Sequence, residues 1–215
     1  MPQPDTRSHR YIDPRDGSPI RRALIVVDVQ PTFCEDGELP VPGGNSVAAR
    51  VADFLRARAG DYALVATTQD WHIDPHDHFS PDPDYVDTWP PHGLVGTRNA
   101  ELHPAVAAVV AQLPGVVRTR KGEHQAAYSG FDGADEAGRS LAQVLADAEV
   151  ESVDVCGIAE SHCVKATALD AAKLGYPTAV LSDLTVPVTE ALGVSAREEM
   201  AAAGVKALPS TQRGM

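Results

Sequence analysis

Three side chains able to make and break an acyl bond stand beyond apolar runs in this sequence of 215 residues. Cys163 lies just past the run 152–158, in what reads as the first turn of a helix capped by Ser161. A strand, a sharp turn and a nucleophile in the first helical turn expose a side chain to substrate. The helix N-terminus favours the thiolate by only ~0.3–1 kcal/mol, less than one pKa unit. From a free-thiol pKa of about 8.5, that leaves most of the sulfur protonated at neutral pH. A second cation and a proton acceptor are therefore needed, and Lys121 and Asp28, each beyond a strand, are the candidates. Cys156 lies inside an apolar run and fits a small buried hydrophobe. Cys34 sits in a loop after Phe33 and is assigned no chemistry.

A second constellation runs Asp70-Trp71-His72-Ile73-Asp74-Pro75-His76-Asp77-His78, followed by Trp89-Pro90-Pro91-His92. In an extended segment residues i and i+2 share a side, so Asp70 and His72 can share one ion. His78 and His92 can close the site from further along, while His76, beside Pro75 in a turn, reads as surface. One carboxylate with two or three imidazoles and water suits Zn²⁺, Mn²⁺ or Fe²⁺. The lack of thiolate ligands argues against a closed structural zinc.

These groups need elements to hold them. Short β-branched runs at 23–27, 62–67, 116–119, 152–158, 178–181 and 205–208 read as strands. Between them lie helical patterns. One starts at Asn45 or Ser46 and carries Val47, Val51, Phe54 and Leu55; another is opened by Pro104 and runs through Leu113. A third holds Leu141, Val144 and Leu145, a fourth runs from His162 towards Leu174 with Gly175 as its stop, and a fifth spans 190–203 before Gly204. Residues 69–103 break the pattern as one long loop, a length that is usually functional. Alternation of strand and helix implies right-handed βαβ units: an α/β fold, a three-layer αβα sandwich around a mostly parallel sheet of about six strands. Ligands in such folds sit beyond the carboxyl ends of the strands, where all of these groups fall. Residues 1–20 read as a flexible polar extension and 21–215 as one domain.

The composition excludes several classes. Eighteen Lys and Arg against 30 Asp and Glu give a net charge of −12, unsuited to a nucleic-acid backbone. No apolar run approaches the ~18–20 residues of a membrane span, and the first twenty residues lack the apolar stretch of a signal peptide. An odd count of 3 cysteines without paired spacing fits a cytoplasmic protein. No G-x-G-x-x-G or P-loop sequence supports nucleotide binding.

The segments Ile25-Val26-Val27-Asp28-Val29-Gln30, Asp70-Trp71-His72, Trp89-Pro90-Pro91-His92, Lys121 and Gly157-Ile158-Ala159-Glu160-Ser161-His162-Cys163-Val164 resemble the nicotinamidase/pyrazinamidase group of the isochorismatase-like cysteine hydrolases. The resemblance runs from about Ala23 to Leu208, and the metal motif narrows it within the superfamily. It implies hydrolysis of nicotinamide, and of pyrazinamide, through a cysteine thioester, as a step in NAD salvage. It makes Cys163 the nucleophile, Asp28 the general base and Lys121 the cation holding both. The backbone N–H groups of Ala159 and Cys163 would form the oxyanion hole, with a cis peptide between Ile158 and Ala159. Asp70, His72 and His92 would bind the metal, with His78 as a further ligand. Phe33 and Trp89 would stack on the substrate ring, with Ile158, Ala159 and His162 also lining its site.

The sequence departs from the family pattern at three places. Pro31-Thr32 stand where many relatives carry Asn-Asp, Glu160 where a neutral residue is common, and Gly93 where a cysteine is common. Two other readings stay open. One is a related cysteine amidase acting on another small amide, and the other is a non-catalytic metal-binding homologue. A monomer and a homo-oligomer both fit the sequence.

Overall fold

The run Arg22–Val27 forms strand β1 and is buried along its whole length, as a strand covered on both faces must be. The computed structural model describes Tyr11, Ile12 and residues 19–214. Five further strands join β1 in one sheet: β2 (Leu64–Asp70), β3 (Val117–Lys121), β4 (Ser152–Ile158), β5 (Thr178–Val186) and β6 (Lys206–Leu208). Their order is β3-β2-β1-β4-β5-β6 and every pairing is parallel. The chain therefore winds outward from β1 one way and then, after β3, the other way from β4. The switch falls between β1 and β4, where crossovers leave in opposite directions and a crevice opens beyond the strand ends. Asp28 follows β1 and Cys163 follows β4, so the topology brings these two together.

Side-chain alternation along β1 divides the core. Leu24 and Val26 pack with α1 (Gly44–Arg58) and α2 (Pro104–Val110), through Val47, Val51 and Leu55 of α1. Ala23, Ile25 and Val27 face the other layer, of α3 (Leu141–Asp147), α4 (Lys165–Lys173) and α5 (Glu190–Ala202). The expected three layers are present. Of the N-terminal extension, Tyr11–Ile12 pair antiparallel with Pro19–Ile20, and residues 1–10 and 13–18 lie outside the described residues. Among the described residues no helix is long and apolar enough to cross a membrane.

Several boundaries differ from the sequence reading, each for a local reason. α1 begins at Gly44, with neither Asn45 nor Ser46 as its cap; the Glu35 carboxylate accepts from the N–H groups of Gly43 and Asn45, both at 2.8 Å. Ser161 caps nothing. The chain makes a π turn over Glu160–Val164 before α4 starts at Lys165, and Ser161 lies inside that turn. β5 continues five residues past Leu181, with a register shift against β4 and a Thr185 Oγ1 hydrogen bond to the Gly157 carbonyl. β2 starts later and ends later than the 62–67 run, so that Asp70 is its last residue.

Candidate active site

Asp28 is wholly buried at the end of β1 with φ +47°, a left-handed conformation that Asp tolerates better than most residues. Thr68 of the neighbouring β2 donates to its Oδ1 at 2.5 Å. Lys121, the last residue of β3, lies two strands away, and its ammonium reaches Asp28 Oδ2 at 3.0 Å. The same ammonium is paired with Asp70 and donates to the Ala127 carbonyl at 2.8 Å and to Cys163 Sγ at 3.9 Å. Three sequence-predicted groups, Asp28, Asp70 and Cys163, thus converge on the nitrogen of a fourth.

Burying an ammonium is costly unless it is paired. Burial works against the Lys121 charge, but Asp28 and Asp70 outweigh it and hold the group well above its ordinary range. Burial pushes the Asp28 carboxyl up, and the pull of Lys121 offsets this only in part. Burial likewise drives the Cys163 thiol well up, against the pull of Lys121. The resting arrangement is therefore a protonated thiol beside a carboxylate of enhanced proton affinity. That is a thiol with a proton acceptor in place, with no standing thiolate.

β4 delivers the cysteine. Gly157 has φ +121°, and a Cβ there would fall 2.0 Å from the Val27 carbonyl oxygen, so only glycine lets β4 lie this close to β1. The next peptide, Ile158–Ala159, is cis. The Ala159 carbonyl then accepts from the N–H groups of His162 and Val164, closing the turn that carries Cys163.

The long loop is ordered because its backbone bonds to itself and to the sheet edge. His72 N–H donates to Gly93 O at 3.0 Å, Val95 N–H to His72 O, and Trp89 N–H to His78 O. Those links bring His72, His78 and His92 into one group, with a ligand atom of each within 4.8 Å of the others. Asp70 Oδ2 is 3.7 Å from His72 Nε2 and 3.6 Å from His92 Nε2. Trp71, between Asp70 and His72, turns to the other side and lies 4.0 Å beneath the Arg120 guanidinium. His76 is exposed, as read.

These residues fit a divalent metal ion. His72 Nδ1 donates to the Gly122 carbonyl at 2.5 Å and His92 Nδ1 to the Pro90 carbonyl at 2.8 Å, which leaves both Nε2 atoms as lone-pair donors. His72 Nε2 and His78 Nδ1 are buried without hydrogen-bond partners. Burial and the neighbouring imidazoles bring His78 down to about 4, so it is neutral at physiological pH. Burial opposes the Asp70 charge, yet Lys121 and the imidazoles hold its carboxyl well below the usual range. Orphaned nitrogens beside an ionised carboxylate are what a bound cation satisfies.

Cys163, Asp70, His78 and His92 open into one cavity of 440 Å³. Phe33, Trp89, Ile158, Ala159 and His162 line it, as the sequence reading expects. That reading misses four contributors: Thr68 on Asp28, Gly122 on His72, Gln30 and Tyr128. Gln30 bridges β1 to β2 by accepting from Asp70 N–H at 2.9 Å and donating to Asp70 O at 3.0 Å. The Tyr128 hydroxyl accepts from Trp89 Nε1 at 2.9 Å, fixing one wall of the cavity. No motif announces these contacts, which join segments 39 to 50 residues apart.

The departures from the family pattern also acquire roles. Thr32 Oγ1 accepts from Gly93 N–H at 3.1 Å and donates to Glu38 at 2.8 Å, so two of the unusual residues bond each other behind His92. Glu160 is buried and ion-paired with Arg197 at 2.7 Å.

A parallel three-layer sheet with a thiol, an ammonium and carboxylates at its switch point has the layout of a cysteine hydrolase. The isochorismatase domain family matches residues 22–212. The chain belongs to that family. It is 47% identical over 192 residues to a nicotinamidase/pyrazinamidase of Mycobacterium tuberculosis, covering 88% of this chain and all of that one. Among solved structures it resembles a Pyrococcus horikoshii pyrazinamidase in complex with zinc, with TM-score 0.71 and 33% identity over 88% of this chain and 99% of that one. A yeast nicotinamidase bound to the inhibitor nicotinaldehyde matches with TM-score 0.74 and 26% identity over 88% of this chain and 100% of that one.

Proposed function

We propose that this protein hydrolyses nicotinamide to nicotinate and ammonia, and pyrazinamide by the same route. The observation that carries the reading is a single cavity lined by the Cys163 thiol, Asp70 and two histidines of a metal-type cluster, with the Lys121–Asp28 pair buried beside the thiol. The names of the relatives supply the substrate: a nicotinamidase/pyrazinamidase of high identity and a nicotinamidase that holds nicotinaldehyde.

In this mechanism Cys163 gives its proton to Asp28 as the sulfur attacks the carboxamide carbon. Lys121 keeps the exchanged charge balanced. The oxyanion is met by the N–H groups of Ala159 and Cys163, each such donor being worth about 3–4 kcal/mol. Asp28 returns the proton to the departing nitrogen, ammonia leaves, and a thioester remains. Asp28 then takes a proton from the water that attacks the thioester, and nicotinate and the free thiol are released. Phe33 and Trp89 hold the ring, with His162 alongside. Asp70, His72, His78 and His92 would hold a divalent ion, Zn²⁺, Mn²⁺ or Fe²⁺, which supplies a Lewis acid for the ring nitrogen or for water. The zinc in the Pyrococcus relative supports the first of these ions. The reaction belongs to NAD salvage in the cytoplasm.

The test is ammonia release from nicotinamide by the purified protein, beside Cys163→Ala and a chelated sample. Activity lost in both controls supports the reading. A folded protein that releases no ammonia from nicotinamide but acts on other small amides would replace the substrate and keep the chemistry.

A further inference from the structure

The nucleophile turn is tied to the helix that walls the cavity by an ion pair at Glu160, one of the residues that departs from the family pattern. Glu160 opens the π turn of Cys163, and its side chain is only 4% exposed. Arg197, midway along α5, donates from Nη1 to Glu160 Oε2 at 2.7 Å and from Nη2 to Glu190 Oε1 at 2.6 Å. Glu190 is the first residue of α5, and Val188, Thr189 and Leu192 beside it line the cavity. One planar fork therefore spans the turn holding the nucleophile and the wall facing the substrate.

Two features show that this place is built for the fork. Gly193, one helical turn before Arg197, is the residue over which the guanidinium lies. A Cβ there would come within 3.1 Å of Arg197 Nη1 and 2.8 Å of the Pro187 ring. A second link runs alongside, from Val188 N–H to Ser161 Oγ at 3.2 Å, and the same hydroxyl is 2.9 Å from His162 Nδ1. Residues 160, 161 and 162 are thus each held from outside the turn or within it, directly before Cys163.

We infer that Arg197, acting through Glu160, is a positioning residue that sets the nucleophile turn against the cavity wall. The inference rests on Cys163 being the nucleophile. Without Arg197 a buried carboxylate stands uncompensated at the head of the turn, and the turn must move to hydrate it or Glu160 must take a proton. Lysine replaces the fork only in part, because a point charge lacks the planar, two-pronged geometry that joins Glu160 to Glu190. The charged groups that face Glu160 are Arg197 and Glu190, both on α5.

The experiment measures kcat, KM, melting temperature and the rate of Cys163 alkylation by iodoacetamide across pH. It uses wild type, Arg197→Ala, Arg197→Lys and the pair Glu160→Gln with Arg197→Ala. Arg197→Ala is expected to lose ~10- to 100-fold in kcat, the scale of a misplaced reacting group, with KM within about twofold. That deficit is expected to shrink as the pH falls, because an unpaired buried Glu160 is then neutral. The paired variant, with no carboxylate to strand, is expected to recover most of the rate and to lose the extra pH dependence. Arg197→Lys is expected to fall between wild type and Arg197→Ala, and it decides the matter if Arg197→Ala does not fold. Wild-type kcat and alkylation rate in Arg197→Ala or Arg197→Lys would overturn the inference, as would a paired variant no better than the single one at every pH. Alkylation needs no substrate, so this series separates a failure here from a failure of the nicotinamide reading.

Discussion

Two aspartates are fully buried in the same sheet, and their surroundings separate an anchor from the base proposed above. Asp154 lies within β4, towards the amino edge of the sheet. It accepts from the Tyr62 hydroxyl at 3.0 Å and from Arg213 Nε at 2.9 Å, with Arg22 Nε 3.9 Å behind. Asp28, at the carboxyl edge, has the Thr68 hydroxyl and one ammonium that it shares with Asp70. Burial raises both carboxyls, and nearby cations offset this only in part. The difference lies in the number and stiffness of the counter-charges. Two guanidinium groups close over Asp154 and leave it nothing to exchange. At Asp28 one divided ammonium and a thiol leave a proton with somewhere to go. Burial alone does not ready a carboxylate to take a proton; an incomplete set of partners does.

The comparison breaks most sharply by exchanging each carboxylate for an amide. Asp28→Asn is expected to lower ammonia release by at least ~10³-fold, comparable to Cys163→Ala, since residues acting as a unit fail together. Its melting temperature should not fall, because Lys121 keeps Asp70. Asp154→Asn is expected to do the reverse. It leaves kcat within about twofold but costs about 3 kcal/mol of stability, because the buried Arg22 and the partly buried Arg213 lose the carboxylate charge they share. If Asp154→Asn lost activity in a folded protein, or Asp28→Asn lowered the melting temperature while keeping its turnover, the distinction between the two edges would be wrong.

The histidine cluster should be separable from the thiol. Gly122→Ala places a Cβ 2.5 Å from His72 Cε1 at a residue with φ +81°, against the imidazole that its own carbonyl orients. Disturbing such an outer partner costs about 10- to 100-fold in metal affinity. Metal content after dialysis against graded chelator should show this loss, with Cys163 alkylation unchanged. Equal metal retention by both proteins would mean that the Gly122 carbonyl does not tune the site.

A subtler test concerns the resting proton. The Asp28 charge helps keep the Cys163 thiol protonated, so alkylation of wild type should be slow at pH 7 and rise as the pH is raised. Asp28→Asn removes that negative charge and leaves Lys121, which lowers the thiol pKa. Its alkylation curve should therefore shift to lower pH while its turnover collapses. A shift the other way would mean that Asp28 maintains a thiolate in the resting protein, with the base role lying elsewhere.

What could be read in advance follows the same contrast between local and assembled features. The strands were legible because continuous apolar runs and period-two burial are local properties, and each predicted site residue sits at or beyond a strand end. Asp70 and His72 facing one side, with Trp71 opposite, needed only the alternation of an extended chain. The start of α1 was not legible. Glu35 caps it from 8 and 10 residues away, replacing the local side chain that a helix-start pattern looks for. The π turn at Cys163 was hidden too, since it comes from the tight β4–β1 contact at Gly157 and the ties to α5, and residue preferences do not encode it. Thr68 and Tyr128 were invisible for a plainer reason: their partners lie 40 and 39 residues away.

Tyr128 gives the finest division of the site, between a wall that holds substrate and groups that react with it. Its hydroxyl accepts from Trp89 Nε1, and the Trp89 ring meets His162 edge-on with centroids 5.5 Å apart. Tyr128→Phe keeps the ring and removes one neutral hydrogen bond, worth about 1 kcal/mol net. That corresponds to roughly a fivefold rise in KM for nicotinamide if Trp89 only holds the ring, with kcat nearly unchanged. A fall in kcat at constant KM would instead put Trp89 among the groups that tighten in the transition state. The wall would then have to be counted with Asp28 and Cys163 on the reacting side of the comparison.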